Sequence, residues 1–220
     1  MPTSTVEDYL KQLYIEQSGT TELVAMGKLA SAMGVVPGTA TVMIKTLAEA
    51  GLVHYESRSG ARLTDGGEKL ALSVLRRHRL VELFLVKVLG LDWSEVHAEA
   101  EELEHAISDK VLERIDALLD HPTVDPHGDP IPTVLGTVAD ARLHTLSLLE
   151  AGESATIARV TDQAPAFLQF VDRCGLTPGA SITINQRDES ADAITVTPEN
   201  RKKTTIGLSA AEKILVRKTP

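Results

Sequence analysis

Apolar residues recur at helical spacing in the first third of the chain. Residues 4–18 place apolar side chains on one helical face, and residues 23–33 repeat the pattern over a shorter stretch. Gly34 suits the end of that second helix, Pro37 suits the first turn of a third, and Gly51 ends the third. A short helix, a tight turn and a second helix predict a helix-turn-helix.

A β-hairpin and two long helices are predicted next. Two extended segments flank a Ser-Gly pair within LVHYESRSGARLT, which indicates the wing of a winged helix. Asp65 with Glu68 resembles a capping box for a helix from about residue 66 to 88. The pattern predicts another long helix over 94–119, and the proline-rich stretch 121–132 predicts a loop.

From about residue 150 the pattern becomes strand-like. The β-branched segments ATIARV, ASITINQ, AITVTP and KILVRK are separated by clusters of turn-forming residues. Such short strands predict a small β-barrel or sandwich. The chain as a whole is therefore expected to be mostly α-helical, with β-structure in the wing and at the C-terminal end.

Composition narrows the functional classes. The one cysteine, Cys174, excludes an intramolecular disulfide and fits a reducing cytoplasm. Neither a signal peptide nor an apolar run of membrane-spanning length is visible, so we expect a cytoplasmic protein with no membrane partner. The net charge of −9 argues against general nucleic-acid binding, and most of it lies in residues 74–145, which carry seven basic and fourteen acidic side chains.

This acidic segment holds a cluster of potential metal ligands. At about 100° per residue, four side chains of VHAEAEELEH fall within an arc of roughly 100°: His97, Glu101, Glu104 and His105. Upstream, His78 and Glu82 lie one helical turn apart. Oxygen and imidazole donors without sulfur suit a hard divalent cation. The alternative is solvated surface charge combined with helix pairing.

The predicted helix-turn-helix offers candidates for DNA contact. The start of its second helix would meet base edges, and its residues are Val36, Pro37, Gly38, Thr39 and Thr41. Lys45 one turn later would meet phosphate, as would Arg58 and Arg62 on the wing. The alternative is a winged helix that contacts only proteins. Neither an HExxH nor a GxSxG motif is present, so we do not expect an enzyme.

These motifs together resemble the diphtheria-toxin-repressor family of metal-dependent transcription regulators. The resemblance extends over the full length and rests on VEDYLKQLY, the helix-turn-helix, RRHRLVELFL, VHAEAEELEH, PHGDPIP and LTPGASITI. It implies a winged helix-turn-helix DNA-binding domain in 1–73, a helical dimerisation and metal-binding domain in 74–145, and an SH3-like β-barrel in 150–220. It also implies a homodimer that binds a palindromic double-stranded operator when metal is bound.

The resemblance also implies two metal sites. The primary site would comprise Asp8, Glu101, Glu104 and His105, and the second site His78, Glu82 and His97, completed by Asp162 from the third domain. Asp8 and Glu101 stand where the iron-responsive branch has methionine and cysteine. Because carboxylates favour Mn²⁺ over metals that prefer sulfur, the resemblance points to a manganese-dependent repressor of manganese-uptake genes. An iron(II)-dependent repressor is the alternative, and other divalent metals are further candidates.

Two departures concern additional ligands. Lys11 stands where some short relatives have a further glutamate, which puts a two-manganese cluster of their kind in doubt. Asp125 and His127 stand where some three-domain relatives have cysteine and histidine. These two residues form either an extra ligand pair or a simple turn with an exposed histidine, and the turn is the favoured interpretation.

Overall fold

The computed structural model describes residues 3–139 and 142–218. They form two compact units, one of residues up to His78 together with Pro132–Thr137, and the other of Arg79–Ile131 together with residues from Val138 onward. Within the described ranges, none of the helices combines the length and apolar character needed to cross a membrane.

The first unit is a winged helix-turn-helix. Its elements in chain order are α1 (Ser4–Gln17), α2 (Met26–Ala32), α3 (Pro37–Glu49), β1 (Val53–Glu56), β2 (Gly60–Leu63) and the start of α4 (Asp65–Lys87). The apolar faces predicted from the sequence form its core, in which Leu10, Leu29, Ile44 and Leu47 are fully or nearly fully buried. Burial of these faces holds three short helices that would be marginal in isolation.

The turn before α3 is formed as the sequence predicts. Gly34 adopts a left-handed backbone with φ 64°, and Pro37 occupies the first turn of α3. Gly51, with φ 73°, ends the helix. These positions fix where α3 begins and ends, and so which of its residues face away from the core.

The wing is an antiparallel hairpin of β1 and β2, paired from Val53 with Leu63 to Glu56 with Gly60. Val24 adds an isolated antiparallel bridge to Ala61. A Cβ at Gly60 would collide with the Val24 carbonyl, so this close approach requires glycine.

The predicted capping box of α4 is wrong in its cap residue. The helix already includes Asp65, and Thr64 caps it instead, since its Oγ1 accepts the backbone N–H of Gly67 at 3.1 Å. A threonine hydroxyl in this position satisfies one of the four N–H groups left open at a helix start.

The single helix predicted over 94–119 is also wrong. The chain forms two helices instead, α5 (Val96–Glu104) and α6 (Asp109–Leu118). His105 is the C-cap residue of α5. Ser108 caps α6 by accepting the backbone N–H of Val111. Such a side-chain hydrogen bond offers the backbone an alternative to continuing the helix, and the spacing of apolar residues does not reveal it.

The C-terminal part of the second unit is a six-stranded antiparallel sheet in the order β3-β8-β4-β5-β6-β7. The elements are β3 (His144–Thr145), a 3₁₀ turn (Leu146–Leu148), β4 (Ser154–Val160), α7 (Pro165–Cys174), β5 (Ser181–Asp188), β6 (Ala193–Pro198), β7 (Thr204–Gly207), α8 (Leu208–Ala211) and β8 (Ile214–Lys218). The four predicted strands correspond to β4, β5, β6 and β8, and helix α7 was not foreseen.

Candidate metal centre and DNA-reading face

Three buried side chains of the second unit meet at one point. Glu82 of α4, Asp125 and His127 each offer a ligand atom within 4.8 Å of the others. Their exposed fractions are 1%, 4% and 0%. The interpretation of His127 as an exposed histidine in a simple turn is therefore wrong, and the pair interpretation gains a third donor from α4.

The loop that carries Asp125 and His127 is held in shape by its own hydrogen bonds. Asp125 Oδ1 accepts the backbone N–H groups of His127 at 2.8 Å and of Asp129 at 2.9 Å. The His127 carbonyl accepts the N–H of Val160 at the end of β4. Gly128 has φ 86°, and a Cβ there would strike the Ala158 carbonyl. The loop is thus fixed against β4 at a place where only glycine fits.

One hydrogen bond of the His127 ring identifies which of its two nitrogens donates. Its Nε2 lies 2.9 Å from the Trp93 carbonyl oxygen, which can only accept, so Nε2 carries the proton. In the neutral ring, Nδ1 then has a free lone pair. Nδ1 lies 3.9 Å from Glu82 Oε2 and 4.0 Å from Asp125 Oδ1. A backbone carbonyl on the other nitrogen is the usual outer partner of a histidine ligand.

Electrostatics favour a cation at this position. Burial, followed by the charges of Asp129 and Glu82, raises the pKa of Asp125 well above its ordinary value, against the opposing effect of Arg79. Asp125 Oδ2 and His127 Nδ1 are buried without a hydrogen-bond partner. Buried polar atoms normally have partners, and a divalent ion would supply one for both. The donor set of two carboxylates and one imidazole fits such an ion.

Asp129 anchors the far side of the loop. Its Oδ2 accepts the Gln163 side-chain amide at 2.7 Å, and its Oδ1 faces Arg159 and, at 3.7 Å, Arg79. Arg79 Nε also lies 3.6 Å from Asp125 Oδ2. Two arginines therefore balance part of the negative charge, and Gln163 connects the loop to the chain that follows β4.

The other predicted ligands of the second unit lie along α5. His97 Nδ1 is 3.1 Å from Glu82 Oε1, and His97 Nε2 is 3.6 Å from Glu101 Oε1. Glu104 is completely buried, and its Oε1 lies 3.4 Å from His105 Nε2. Glu82 thus faces His97 with one oxygen and His127 with the other.

The remaining predicted ligands are Asp8, His78 and Asp162. Asp8 lies half-buried on α1 and His78 lies buried on α4, both in the first unit. Asp162 Oδ2 pairs with Lys213 Nζ at 2.7 Å, and the hydrogen bond from Lys213 is the main reason why the pKa of Asp162 is lowered. Asp162 does not belong to the group of Glu82, Asp125 and His127, and its role as a ligand stays a prediction.

The predicted DNA contacts lie on helix α3, just before it, and on the wing of the first unit. The exposed ones are Val36, Pro37, Gly38, Thr39, Lys45 and Arg58, with Arg58 at the hairpin tip. Thr41 is half-buried, and its hydroxyl donates to the Pro37 carbonyl. The Arg62 guanidinium donates to the Thr20 carbonyl at 3.0 Å. The contacts of these residues with DNA stay predictions.

Comparison with known proteins identifies the family. Residues 1–61 match the model of the iron-dependent repressor N-terminal DNA-binding domain, and residues 64–133 match the iron-dependent repressor metal-binding and dimerisation domain. Residues 144–218 match the FeoA domain. The iron-dependent repressor IdeR of Mycobacterium tuberculosis is 34% identical over 193 residues, which are 82% of this chain and 83% of IdeR. The chain belongs to the diphtheria-toxin-repressor family.

Two more relatives agree with this assignment. The diphtheria toxin repressor of Corynebacterium diphtheriae is 31% identical over 84% of this chain and 85% of its own length. A solved manganese-dependent transcriptional repressor in complex with manganese is 39% identical, with a TM-score of 0.87 over 97% of this chain and 100% of that chain. Members of the family are metal-dependent, DNA-binding repressors rather than enzymes, and the matched domains imply DNA and a second copy of the chain as partners.

Sequence reasoning undervalued Asp125 and His127. The only signal was the segment DPHGD itself, in which two carboxylates flank a histidine and a glycine. Such a segment is typical of a surface turn. What distinguishes it here is its burial against α4 and β4, which no local pattern reports.

Proposed function

We propose that this protein is a manganese(II)-dependent transcriptional repressor of the cytoplasm that controls manganese-homeostasis genes. The observation that carries this proposal is the complete lack of sulfur among the candidate ligands of the described residues. Carboxylates and imidazoles are the donors that Mn²⁺ accepts readily, whereas thiolates and thioethers select softer metals. The solved relative that binds manganese supports the same metal.

The proposed primary site combines residues of both units. Asp8 of α1 would join Glu101, Glu104 and His105 at the end of α5. Support comes from the family resemblance and from the pairing of the fully buried Glu104 with His105, whose Nε2 lies 3.4 Å from Glu104 Oε1.

The proposed second centre uses Glu82, Asp125 and His127. Asp125 Oδ2 and His127 Nδ1 are buried without hydrogen-bond partners, which supports a cation between them. Glu82 also contacts His97, so the centre adjoins the predicted site of His78, Glu82 and His97. Asp162 would complete that site only by leaving Lys213.

Shared ligation links metal binding to DNA binding. Without a cation, the carboxylates repel one another and the winged helix is held less firmly. With Asp8 and the α5 ligands joined, one orientation is favoured, and two winged helices of a dimer gain the spacing of a palindromic operator. By linkage, the operator must tighten metal binding by the same factor.

The test is capture of genomic DNA fragments by the purified protein with Mn²⁺, with Fe²⁺ under anoxia, and with a chelator. We expect a few promoters, those of manganese-uptake genes among them, to be enriched only with Mn²⁺. Enrichment that does not depend on metal would contradict the sensor mechanism.

The second candidate is an iron(II)-dependent repressor, which the 34% identity to IdeR favours. Equal or better enrichment with Fe²⁺ would support it. The double variant Asp8→Met with Glu101→Cys is the matched test of the donor argument, because it introduces sulfur at both positions. We expect it to shift the Mn²⁺ to Fe²⁺ activation ratio at least tenfold towards Fe²⁺, on the order of 1.4 kcal/mol.

A further inference from the structure

Helix α3 carries a valine whose side chain is largely exposed to solvent. Val42 has 67% of its surface exposed in the middle of α3, on the side opposite the buried Ala40, Ile44 and Leu47. A β-branched residue lowers helix propensity and here gains no packing in return. Val36, at the start of the same helix, is exposed to the same degree.

The hydroxyl groups beside Val42 are already engaged. Thr41 Oγ1 donates to the Pro37 carbonyl at 2.7 Å, and Thr46 Oγ1 donates to the Val42 carbonyl at 3.2 Å. Each bond directs a donor back to the helix backbone. Besides these two threonines, the polar side chains on the described exposed side of α3 are Thr39, Lys45 and Glu49, and the surface at Val42 itself is aliphatic.

The surface around Val42 is also open. Gly38 lies one helical turn before Val42, and a Cβ placed on Gly38 would find no atom within 4 Å. The missing side chain lets a partner approach the helix backbone closely at this turn. Lys45 follows one turn after Val42 and gives this side a positive charge at its edge, as a phosphate-flanked groove requires.

We propose that Val42 is a specificity-determining residue, which recognises thymine by packing against its 5-methyl group in the major groove of the operator. This inference rests on the proposed function. Thymine is the base that presents a methyl group in that groove, and apolar side chains distinguish it by contact rather than by hydrogen bonds. Val42 was not among the DNA contacts predicted from the sequence.

The experiment removes the methyl group from the DNA and the valine from the protein. A random 30-base-pair duplex library is first selected with the full-length protein and Mn²⁺. The selected operator is then synthesised with single thymines replaced by deoxyuridine, which lacks only the methyl group. Binding is measured for the wild type, Val42→Ala and the matched control Val134→Ala, whose valine is also exposed but lies outside helix α3 and the wing.

We expect one thymine in each half-site at which deoxyuridine weakens wild-type binding about fourfold, the value of one buried methyl-sized group. The same penalty should persist in Val134→Ala and vanish in Val42→Ala, because contacting groups are not additive. Metal stoichiometry and thermal unfolding should stay unchanged, since Val42 is on the surface.

Two results would overturn the inference and leave the repressor function standing: no thymine with a methyl penalty, or a full set of penalties in Val42→Ala. A wild-type protein that selects no sequence with Mn²⁺ would instead refute the proposed function, and the role of Val42 with it.

Discussion

Replacement of Asp125 by asparagine tests whether Asp125 is a metal ligand or only a structural residue of its loop. Asparagine keeps the side-chain oxygen that accepts the N–H groups of His127 and Asp129. It removes the negative charge that faces Glu82 and His127. We therefore expect opposite effects of Asp125→Asn on stability with and without Mn²⁺.

The magnitudes follow from the distances. Two charged carboxylates whose oxygens lie within 4.8 Å of each other repel by roughly 3 kcal/mol or more at an effective dielectric constant of about 20. Arg79 at 3.6 Å offsets a similar amount. Burial of the Asp125 charge and its repulsion by Asp129 are left as the uncompensated cost. In chelator, the free energy of unfolding of Asp125→Asn should equal that of the wild type or exceed it by about 1–3 kcal/mol.

With Mn²⁺, the wild type should gain more stability than Asp125→Asn. A site at 100 times its dissociation constant stabilises the fold by about 2.7 kcal/mol, and a site weakened tenfold by only about 1.4 kcal/mol. Calorimetry and equilibrium dialysis should show one Mn²⁺ fewer, or one much weaker, per chain. Urea unfolding can be followed by the fluorescence of the single tryptophan, Trp93, whose ring centroid lies 5.5 Å from that of His127.

The matched control is Asp129→Asn, which removes a neighbouring charge outside the group of three. Because it breaks contacts with Arg79, Arg159 and Gln163, this variant should lose stability in chelator but retain the Mn²⁺ increment. If Asp125→Asn instead destabilised the apo protein and kept its full Mn²⁺ increment, Asp125 would be a loop residue and the proposed centre would be wrong.

Three further predictions concern single residues. Asp8→Ala should weaken metal-dependent operator binding while sedimentation still shows a dimer, and unchanged operator affinity would contradict the coupling of the two units. Gly128→Ala should lower the free energy of unfolding by about 1–3 kcal/mol more than Gly152→Ala, whose glycine has positive φ but open space. Asp162→Asn should reduce Mn²⁺ binding and Lys213→Met should strengthen it if Asp162 is a ligand; equal binding in both variants would exclude that role.

The helical part of the fold could be predicted because each helix has its own periodic pattern and end signals. Gly34, Pro37 and Gly51 mark the limits of the helix-turn-helix, and all three act in the structure as the sequence indicates. The break between α5 and α6 was missed because the apolar pattern continues across it. At the interruption, the Ser108 hydroxyl accepts the backbone N–H of Val111, a side-chain hydrogen bond that apolar spacing does not report.

The candidate centre was only partly predictable, for a related reason. Glu82 lies on a periodic helix that marks it as a possible inward residue, whereas Asp125 and His127 lie in a loop. Their burial results from long-range contacts, among them the bond between Val160 and the His127 carbonyl. Likewise, the bond that occupies the Thr41 hydroxyl becomes visible only once the helix is formed.

The sulfur-free donor set has a consequence for oxidative conditions. The only cysteine, Cys174, ends α7 and packs, half-buried, against the core of the C-terminal sheet. Peroxide damages thiolates first, yet none of the candidate ligands carries one. Hydrogen peroxide should therefore leave the Mn²⁺ stoichiometry of the purified protein unchanged, and metal sensing by this chain would not depend on the redox state of a thiol.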